Sequence, residues 1–378
     1  MPPVNLLIKP ASSKCNMRCK YCFYYAIADN RTVADMGIMA EETLKTLIRK
    51  GIEYADHICS FAFQGGEPTL AGLPFYEKAL FYQKKYKEEL GKGNLQIHNA
   101  IQTNGYLIDE NWAKFFHDNH FLVGLSLDGP MNVHDKNRLN AQGKGTFARI
   151  MKTVELFDRY QVDYNILSVV TGQNAQAIKR TYRFFAKQGF GYLQFIPCLE
   201  PIEKERGCEA YHLSVQEYGD FLLDVFDLWF EDFKSGKYIS IRHIDNLVHM
   251  VMGERPEACN MRGHCSLQFV VEGDGSVYPC DFYVFDQWKL GNVQDHSLGE
   301  MEESELAQRF VEESIGIPKE CRQCRYGSIC RNGCRRDRVS MNEPDVMKNY
   351  YCKAYYRFYE EREEQLKEVI SILRNENA

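Results

Sequence analysis

The sequence has neither a cationic start followed by an apolar run nor an uninterrupted apolar stretch approaching the roughly 18 residues of a membrane-spanning helix. We therefore expect a cytoplasmic protein that does not use a membrane as a partner. It also lacks an excess of positive charge, since 46 lysines and arginines stand against 52 aspartates and glutamates, for a net charge of -6. A general nucleic-acid binder needs a basic surface, so we expect no nucleic-acid partner. Internal repeats and low-complexity tracts are absent too.

What the sequence does have is an ordinary globular composition and many cysteines. Its 378 residues are 44% hydrophobic and 26% charged, which is typical of a soluble chain of roughly two to three domains. There are 14 cysteines. Thiols stay reduced in the cytoplasm, and disulfide frameworks are typical of short secreted chains instead. The cysteines are therefore candidate metal ligands.

Short β-rich runs alternate with longer helical patterns along the first part of the chain. Six strand-helix units with right-handed crossovers predict a parallel sheet that curls into a partial (β/α)6 barrel, with its reactive loops at the carboxyl ends of the strands. Six units are too few to close an eight-unit barrel, and an open side suits a large substrate such as a peptide. The predicted strands cover 4–8, 58–64, 95–102, 121–127, 162–170 and 192–197, and the predicted helices cover 41–53, 73–89, 109–119, 147–160, 175–188 and 215–234.

The character of the sequence changes after about residue 235, where cysteine-rich, glycine-punctuated sequence replaces the helical periodicity. A hairpin is predicted around Gly273-Asp274-Gly275, with strands at 268–272 and 276–279. A charged helix over 350–374, whose charges are expected to form a solvated face, closes the chain. We therefore predict two domains, a barrel over 1–234 and a cysteine-rich domain with a C-terminal helix over 235–378.

Three cysteines, Cys15, Cys19 and Cys22, follow the first predicted strand with three and two residues between them. Three thiolates at this spacing can close on three corners of one cubic iron-sulfur cluster, which leaves the fourth iron without a protein ligand and open to substrate. A structural zinc site would want a fourth cysteine or histidine nearby, and three unrelated thiols are the other alternative. The pattern favours the cluster.

A second group of eight cysteines lies in the C-terminal part of the sequence. Eight thiols are what two fully ligated four-iron clusters require. Zinc stays an alternative, because soft ligands fit either metal and the Cys321-x2-Cys324 pair could begin a zinc ribbon. The eight are Cys259, Cys265, Cys280, Cys321, Cys324, Cys330, Cys334 and Cys352.

Further candidate binding residues follow the second and fourth predicted strands. In Gln64-Gly65-Gly66-Glu67-Pro68 the glycines let a ligand approach the backbone closely, and Glu67 can accept a hydrogen bond from an ammonium group. Ser126 and Arg138 can bind ribose or carboxylate oxygens. The alternatives are an ordinary turn for the glycines, and a helix cap and a surface arginine for the other two.

A candidate general base stands beside one of the later cysteines. Asp281 follows Cys280 and precedes Phe282 and Tyr283. A carboxylate next to a cluster and among aromatic rings would be partly desolvated, which suits a group that accepts a proton. An aspartate after a cysteine is otherwise most often a turn or cap residue.

Taken together, these motifs resemble a known family. The three-cysteine loop with Tyr21 resembles the signature of the radical S-adenosylmethionine (SAM) enzymes, and the Cys265-x9-Gly-x4-Cys280 element resembles their SPASM extension. The whole chain, including the stretch from Pro279 to Tyr283, resembles the anaerobic sulfatase-maturating enzymes.

That resemblance implies SAM and three [4Fe-4S] clusters as cofactors, with the first cluster on Cys15, Cys19 and Cys22. It also implies Asp281 as the catalytic base. The implied SAM pocket is lined by Tyr21, Gly66, Ser126, Arg138 and Leu199. The implied auxiliary clusters take Cys259, Cys265, Cys280 and Cys334 in one case, and Cys321, Cys324, Cys330 and Cys352 in the other.

The implied activity is the anaerobic oxidation of a cysteine or serine side chain to Cα-formylglycine in an unfolded sulfatase that contains a Cys/Ser-x-Pro/Ala-x-Arg motif. A ferredoxin or flavodoxin would serve as electron donor. Two alternatives stay open. A thioether-forming peptide maturase would need an open iron on an auxiliary cluster, whereas a non-catalytic iron-sulfur electron carrier would need no SAM pocket.

Overall fold

The computed structural model of the protein describes residues 3–340 and 347–376. The chain forms two compact units, each assembled from separate chain segments. The first unit comprises Met1–Leu127, His134–Asn165 and Leu267–Phe310, and the second comprises Asp128–Val133, Ile166–Ser266 and Val311–Ala378. Within the described ranges, every helix is too short or too polar to span a bilayer.

The strands and helices are numbered in chain order. The strands are β1 (Val4–Ile8), β2 (Ile58–Phe63), β3 (Gln96–Thr103), β4 (Leu122–Ser126), β5 (Tyr164–Val170), β6 (Tyr192–Pro197), β7 (Ser240–Ile241), β8 (Val270–Val271), β9 (Ser276–Tyr278), β10 (Gly291–Asn292), β11 (Arg338–Ser340) and β12 (Met347–Asn349). The helices are α1 (Phe23–Asp29), α2 (Glu41–Tyr54), α3 (Leu73–Glu89), α4 (Glu110–Asp118), α5 (Met131–Asn137), α6 (Phe147–Tyr160), α7 (Gly172–Gln176), α8 (Ile178–Gln188), α9 (Val215–Lys234), α10 (Arg242–Val251), α11 (Leu298–Glu302), α12 (Glu305–Glu312), α13 (Lys319–Arg322), α14 (Gly327–Cys330) and α15 (Cys352–Glu376).

The first unit is built on a sheet with the strand order β10-β9-β8-β1-β2-β3-β4. Strands β1 to β4 pair in parallel, and β8 pairs in parallel with the other edge of β1. Strands β9 and β10 complete that side of the sheet in antiparallel order. In the central strand β1, Val4, Leu6 and Ile8 alternate and so share one face, which is fully buried, whereas Asn5 on the other face is exposed. The predicted hairpin is confirmed with shorter strands, β8 and β9.

In the second unit, β6 lies between β5 and β7 and pairs in parallel with both. A short antiparallel pair, β11 and β12, stands apart from it. The helix α15 packs along α9, where the Phe358 and Phe226 rings lie 5.5 Å apart. Arg362 of α15 makes two hydrogen bonds to Asp227 of α9, at 2.6 and 2.8 Å. The expectation of a purely solvated charged face on α15 is therefore wrong for Arg362.

The predicted alternation of strands and helices is confirmed, and most predicted bounds agree with the observed ones within two residues. The helix predicted at 175–188 is divided into α7 and α8. Several elements were not predicted: α1 directly after the cysteine loop, α5, the two-residue β7 and α10 in the region expected to lose helical periodicity.

Candidate functional site

The three-cysteine loop leaves the carboxyl end of β1 and ends where α1 begins at Phe23. Burial, with smaller contributions from the nearby charges of Glu67 and Cys19, raises the pKa of Cys15 to about 12. Burial, with a smaller contribution from Cys15, raises the pKa of Cys22 to about 11. Thiols of such high pKa release their protons when a metal binds, so metal binding at this loop is coupled to proton release.

The surroundings of Cys15 fit a thiolate cluster ligand. The Met17 backbone N-H donates to the Cys15 sulfur at 3.4 Å, and the Asn104 side-chain amide lies 3.7 Å from the same atom as a second donor. The Asn16 side-chain nitrogen is buried and has no hydrogen-bond acceptor among the described residues. Amide donors stabilise negative charge on sulfur, which is what iron-bound thiolates carry.

The glycine pair after β2 packs against the cysteine loop. Gly66 has a φ of +53°, and a Cβ atom there would lie 2.2 Å from the Lys14 carbonyl oxygen. The next backbone N-H, that of Glu67, donates to the same oxygen at 2.8 Å. Only glycine allows this approach, so Gly66 fixes the loop after β2 against the loop that carries the cysteines.

The expectation that Glu67 faces an ammonium group is wrong, because its carboxylate is fully buried and already satisfied. One oxygen accepts hydrogen bonds from the Thr69 backbone N-H, the Thr69 hydroxyl and the Thr103 hydroxyl, and the other accepts from the Asn104 backbone N-H at 2.8 Å. Burial raises the pKa of Glu67 despite these donors. Its role is to tie the loop after β2 to the end of β3.

Two of the predicted SAM-pocket residues contact each other. The Arg138 guanidinium lies 5.4 Å from the centre of the Tyr21 ring, and both side chains are buried. The backbone N-H groups of Arg18 and Lys20 donate to carbonyls of the segment that carries Arg138, at 2.7 and 3.0 Å. Ser126, at the end of β4, accepts a hydrogen bond from Gln102 at 3.1 Å. The remaining pocket residue, Leu199, is buried after β6 in the second unit.

Asp281 lies in a single helical turn after β9 and is only 4% exposed. One carboxylate oxygen accepts from the Tyr24 hydroxyl at 2.6 Å and from the Gln64 amide at 3.2 Å. The other oxygen lies 3.3 Å from the Lys9 ammonium nitrogen. It accepts no hydrogen bond from a described residue. The first oxygen is thus fixed in place, and the second has a lone pair available for a proton.

Lys9 also contacts a second buried carboxylate. Its ammonium nitrogen lies 3.4 Å from Glu272 and 4.6 Å from the centre of the Tyr24 ring, and Arg31 pairs with the same Glu272 oxygen at 2.6 Å. Burial alone would raise the pKa of Glu272, but the charges of Lys9 and Arg31 outweigh it and lower that pKa. Two cations and two carboxylates therefore balance their charges in the interior of the first unit.

Lys9, Gln64 and Glu272 were not predicted as site residues. Each of them directly follows one of three neighbouring parallel strands: β1, β2 and β8 respectively. Because the carboxyl ends of parallel strands meet at one edge of a sheet, polar residues at these positions converge. For Lys9 and Gln64 the signal was present in the sequence, since both stand at the end of a predicted strand.

Seven of the eight later cysteines belong to the second unit. Cys321, Cys324, Cys330 and Cys352 line one cavity of about 160 Å³. Burial, followed by the other thiols of this set, raises the pKa of Cys330 to about 11. This set matches the second predicted auxiliary-cluster ligand set.

The other predicted ligands that belong to the second unit are Cys259, Cys265 and Cys334. Burial raises the pKa of Cys334, and the nearby Cys259 and Cys265 contribute to that rise. The Arg336 backbone N-H donates to the Cys334 sulfur at 3.4 Å. The fourth predicted member, Cys280, belongs to the first unit, where it directly precedes Asp281. The ligand pairing as a whole stays a prediction.

Comparison with known proteins gives matches over nearly the whole chain. The profile of the Radical SAM superfamily matches residues 10–185, and that of the SPASM iron-sulfur cluster-binding domain matches residues 259–325. A cysteine-type anaerobic sulfatase-maturating enzyme of Clostridium perfringens is 48% identical over 95% of this chain and 96% of its own length. A serine-type enzyme of Bacteroides thetaiotaomicron is 34% identical over 95% of this chain and 89% of its own length.

A solved structure is similar over the same extent. Native anSMEcpe with bound AdoMet and the Cp18Cys peptide superposes with a TM-score of 0.93 at 45% identity. The match covers 98% of this chain and 100% of that one. The predicted combination of a radical SAM α/β fold and a SPASM domain is confirmed.

Proposed function

This chain belongs to the anaerobic sulfatase-maturating enzymes, and from that membership we propose that it oxidises a side chain of an unfolded sulfatase segment to Cα-formylglycine. Higher identity to the cysteine-type relative, 48% against 34% for the serine-type one, supports cysteine as the side chain that is oxidised. Its cofactors are SAM and [4Fe-4S] clusters, so the expectation of iron-sulfur clusters rather than zinc is confirmed.

Cys15, Cys19 and Cys22 would hold the cluster that binds SAM. When bound there, the cluster and SAM together supply a 5′-deoxyadenosyl radical, which removes a hydrogen atom from the substrate Cβ. The protein's own task is to aim the substrate and exclude other hydrogen atoms. Arg138 and Tyr21, which contact each other beside this loop, are suited to bind the carboxylate and the rest of SAM.

The observation that best supports the oxidation step is the setting of Asp281. Loss of a Cβ hydrogen leaves a substrate radical, which can give up one electron once the neighbouring thiol or hydroxyl has lost its proton. That electron would be accepted by an auxiliary cluster held by the later cysteines. Asp281 offers an oxygen that accepts no hydrogen bond from a described residue, while Tyr24 and Gln64 fix the other oxygen. The thioaldehyde formed from cysteine then adds water and loses hydrogen sulfide, whereas serine gives the aldehyde directly.

The proposed partners follow from the same chemistry. The substrate is an unfolded sulfatase polypeptide that contains a Cys/Ser-x-Pro/Ala-x-Arg motif. A one-electron donor such as a ferredoxin or flavodoxin supplies the electron that starts the reaction. The similar protein anSMEcpe is described with both AdoMet and the Cp18Cys peptide bound, which supports the first of these partners.

The test uses reduced, iron-loaded protein with SAM and a peptide carrying Cys-x-Pro-x-Arg under anaerobic conditions. We expect 5′-deoxyadenosine and a peptide lighter by about 18 mass units, and we expect Asp281→Asn to suppress the peptide product more than SAM cleavage. Asp295→Asn, at an exposed turn residue, is the matched control and should retain both products. SAM cleavage without a change in peptide mass would reject the sulfatase substrate, and equal loss of both products in Asp281→Asn would reject its role as the base.

A further inference from the structure

The cavity lined by Cys321, Cys324, Cys330 and Cys352 lies close to the surface of the second unit. All four cysteines are partly exposed. Ile317 and the 40% exposed Tyr356 contribute to the same lining. A cluster held by these thiols would therefore be within reach of another protein that touches this face.

The sequence around this cavity is strongly basic in an otherwise acidic protein. Residues 319–338 contain seven lysines and arginines but only two acidic residues, a balance of +5, whereas the whole chain carries -6. Charge asymmetry of this kind indicates a partner of the opposite sign.

Three exposed cations stand within two residues of cysteines that line the cavity. Lys319 and Arg322 flank Cys321 on α13, and Lys353 directly follows Cys352. None of the three forms an ion pair with a described residue, whereas the nearby acids Glu320 and Glu363 are paired with Lys348 and Arg325. The three cations define what we call the basic face.

We propose that the basic face is the docking surface for a small acidic protein that carries one electron at a time. This inference rests on the proposed function, which requires such a carrier. One electron would pass between the carrier's redox centre, which is oxidised, and the cluster on these four thiols, which is reduced; no bond forms and no proton moves. Redox encounters use small interfaces, below about 1,200 Å², so a few charges around one cavity suffice.

Charge reversal on the basic face tests the proposal. Binding of an acidic bacterial-type [4Fe-4S] ferredoxin would be measured anaerobically at low and high salt for the iron-loaded wild type and for Lys319→Glu/Arg322→Glu/Lys353→Glu. We expect the dissociation constant of the variant to rise by about tenfold or more at low salt, with a smaller difference at high salt, because exposed charges steer association and are screened. The matched control is Lys84→Glu/Lys114→Glu/Lys152→Glu, which reverses three exposed lysines of α3, α4 and α6 that form no ion pair with a described residue.

Equal ferredoxin affinity in the wild type and the basic-face variant would overturn the proposal. If the control variant lost as much ferredoxin affinity as the basic-face variant, the proposal would also be overturned, because the change in net charge alone would explain the loss. Weaker binding of the sulfatase peptide with unchanged ferredoxin binding would assign the face to the substrate instead. Iron content shows that each variant is loaded. Reduced methyl viologen is a small molecule that needs no docking surface to drive peptide oxidation. If the wild type failed to oxidise the peptide with this reductant, the proposed function would be wrong. The ferredoxin affinities would still test the role of the basic face.

Discussion

Lys9 lies between two buried carboxylates, at 3.3 Å from Asp281 and 3.4 Å from Glu272, and is itself only 2% exposed. A buried carboxylate without its cation is costly, because the interior solvates charge poorly. Arg31 still neutralises Glu272 when Lys9 is removed, but Asp281 has no second cation within ion-pair distance among the described residues. Removal of Lys9 should therefore leave the Asp281 carboxylate, rather than that of Glu272, without a neutralising cation.

We expect Lys9→Met to lower the free energy of unfolding by about 3 kcal/mol or more, since breaking a buried ion pair leaves an uncompensated charge. It should also reduce formylglycine formation more than SAM cleavage, because the Asp281 carboxylate loses its charge partner. Urea unfolding gives the first quantity, and mass spectrometry of peptide and 5′-deoxyadenosine gives the second. Lys45→Met, at an exposed ion pair with Glu42, is the control and should change stability by less than about 1 kcal/mol. A Lys9→Met protein with wild-type stability and product ratio would contradict this account.

The sequence identified the residues of this site unevenly, for a physical reason. The three cysteines of the first loop were found because all three lie on one short loop. Glu272 stands 263 residues after Lys9, and only the pairing of β8 with β1 brings them together. A two-residue strand such as β8 is too short to show a hydrophobic period, so the local sequence does not indicate which strand it pairs with.

At the scale of elements, the loops that follow β1 and β2 support each other through backbone contact. The positive φ of Gly66 and the Lys14 carbonyl 2.2 Å from its Cβ direction leave no room for a side chain. Because backbone atoms on both sides are fixed by hydrogen bonds, the clash cannot be relieved by a rotamer change. The cysteine loop should move instead.

We expect Gly66→Ala to lower the iron content of the reconstituted protein from about twelve to about eight atoms per chain, because the first cluster loses its loop geometry. Production of 5′-deoxyadenosine should fall with it. Gly91→Ala is a close control, because Gly91 also has a positive φ, of +64°, but has open space around its Cβ direction. Iron analysis and SAM cleavage assays check both variants, and full iron loading of Gly66→Ala would show that the loop contact is dispensable.

The helices that the sequence predicted well are the long ones. α9 and α3 span 20 and 17 residues, enough turns for the apolar period of a helix to be seen. The four-residue helices α13 and α14 were not predicted, because a single turn is too short to show the apolar periodicity of a helix. Both helices also contain cysteines, which were interpreted as metal ligands.

At the scale of the whole molecule, chain order and compact units do not coincide. Residues 267–310 belong to the first unit, where β8 and β9 extend the sheet beyond β1. The amino-acid composition changes near residue 235, but the pairing of strands that are far apart in sequence cannot be recognised from composition. The division into 1–234 and 235–378 is therefore one of sequence character, and it stays a prediction.

The segment 319–340 of the second unit should depend on iron for its order. α13 and α14 bury no side chain, so hydrophobic packing alone supplies little to hold them. We expect ligation by Cys321, Cys324 and Cys330 to hold them, because metal binding supplies folding free energy where a core does not.

Removing iron with a chelator should therefore loosen this segment before the sheet of the first unit. We expect amide hydrogen exchange in residues 319–340 to accelerate by about tenfold or more on iron removal, whereas β2 and β3, whose strands are paired on both sides, should keep their protection. Hydrogen exchange followed by mass spectrometry on the iron-loaded and stripped protein measures both regions in one experiment. Uniform acceleration would mean that iron stabilises both units alike, and unchanged exchange in residues 319–340 would mean that the segment folds without its metal.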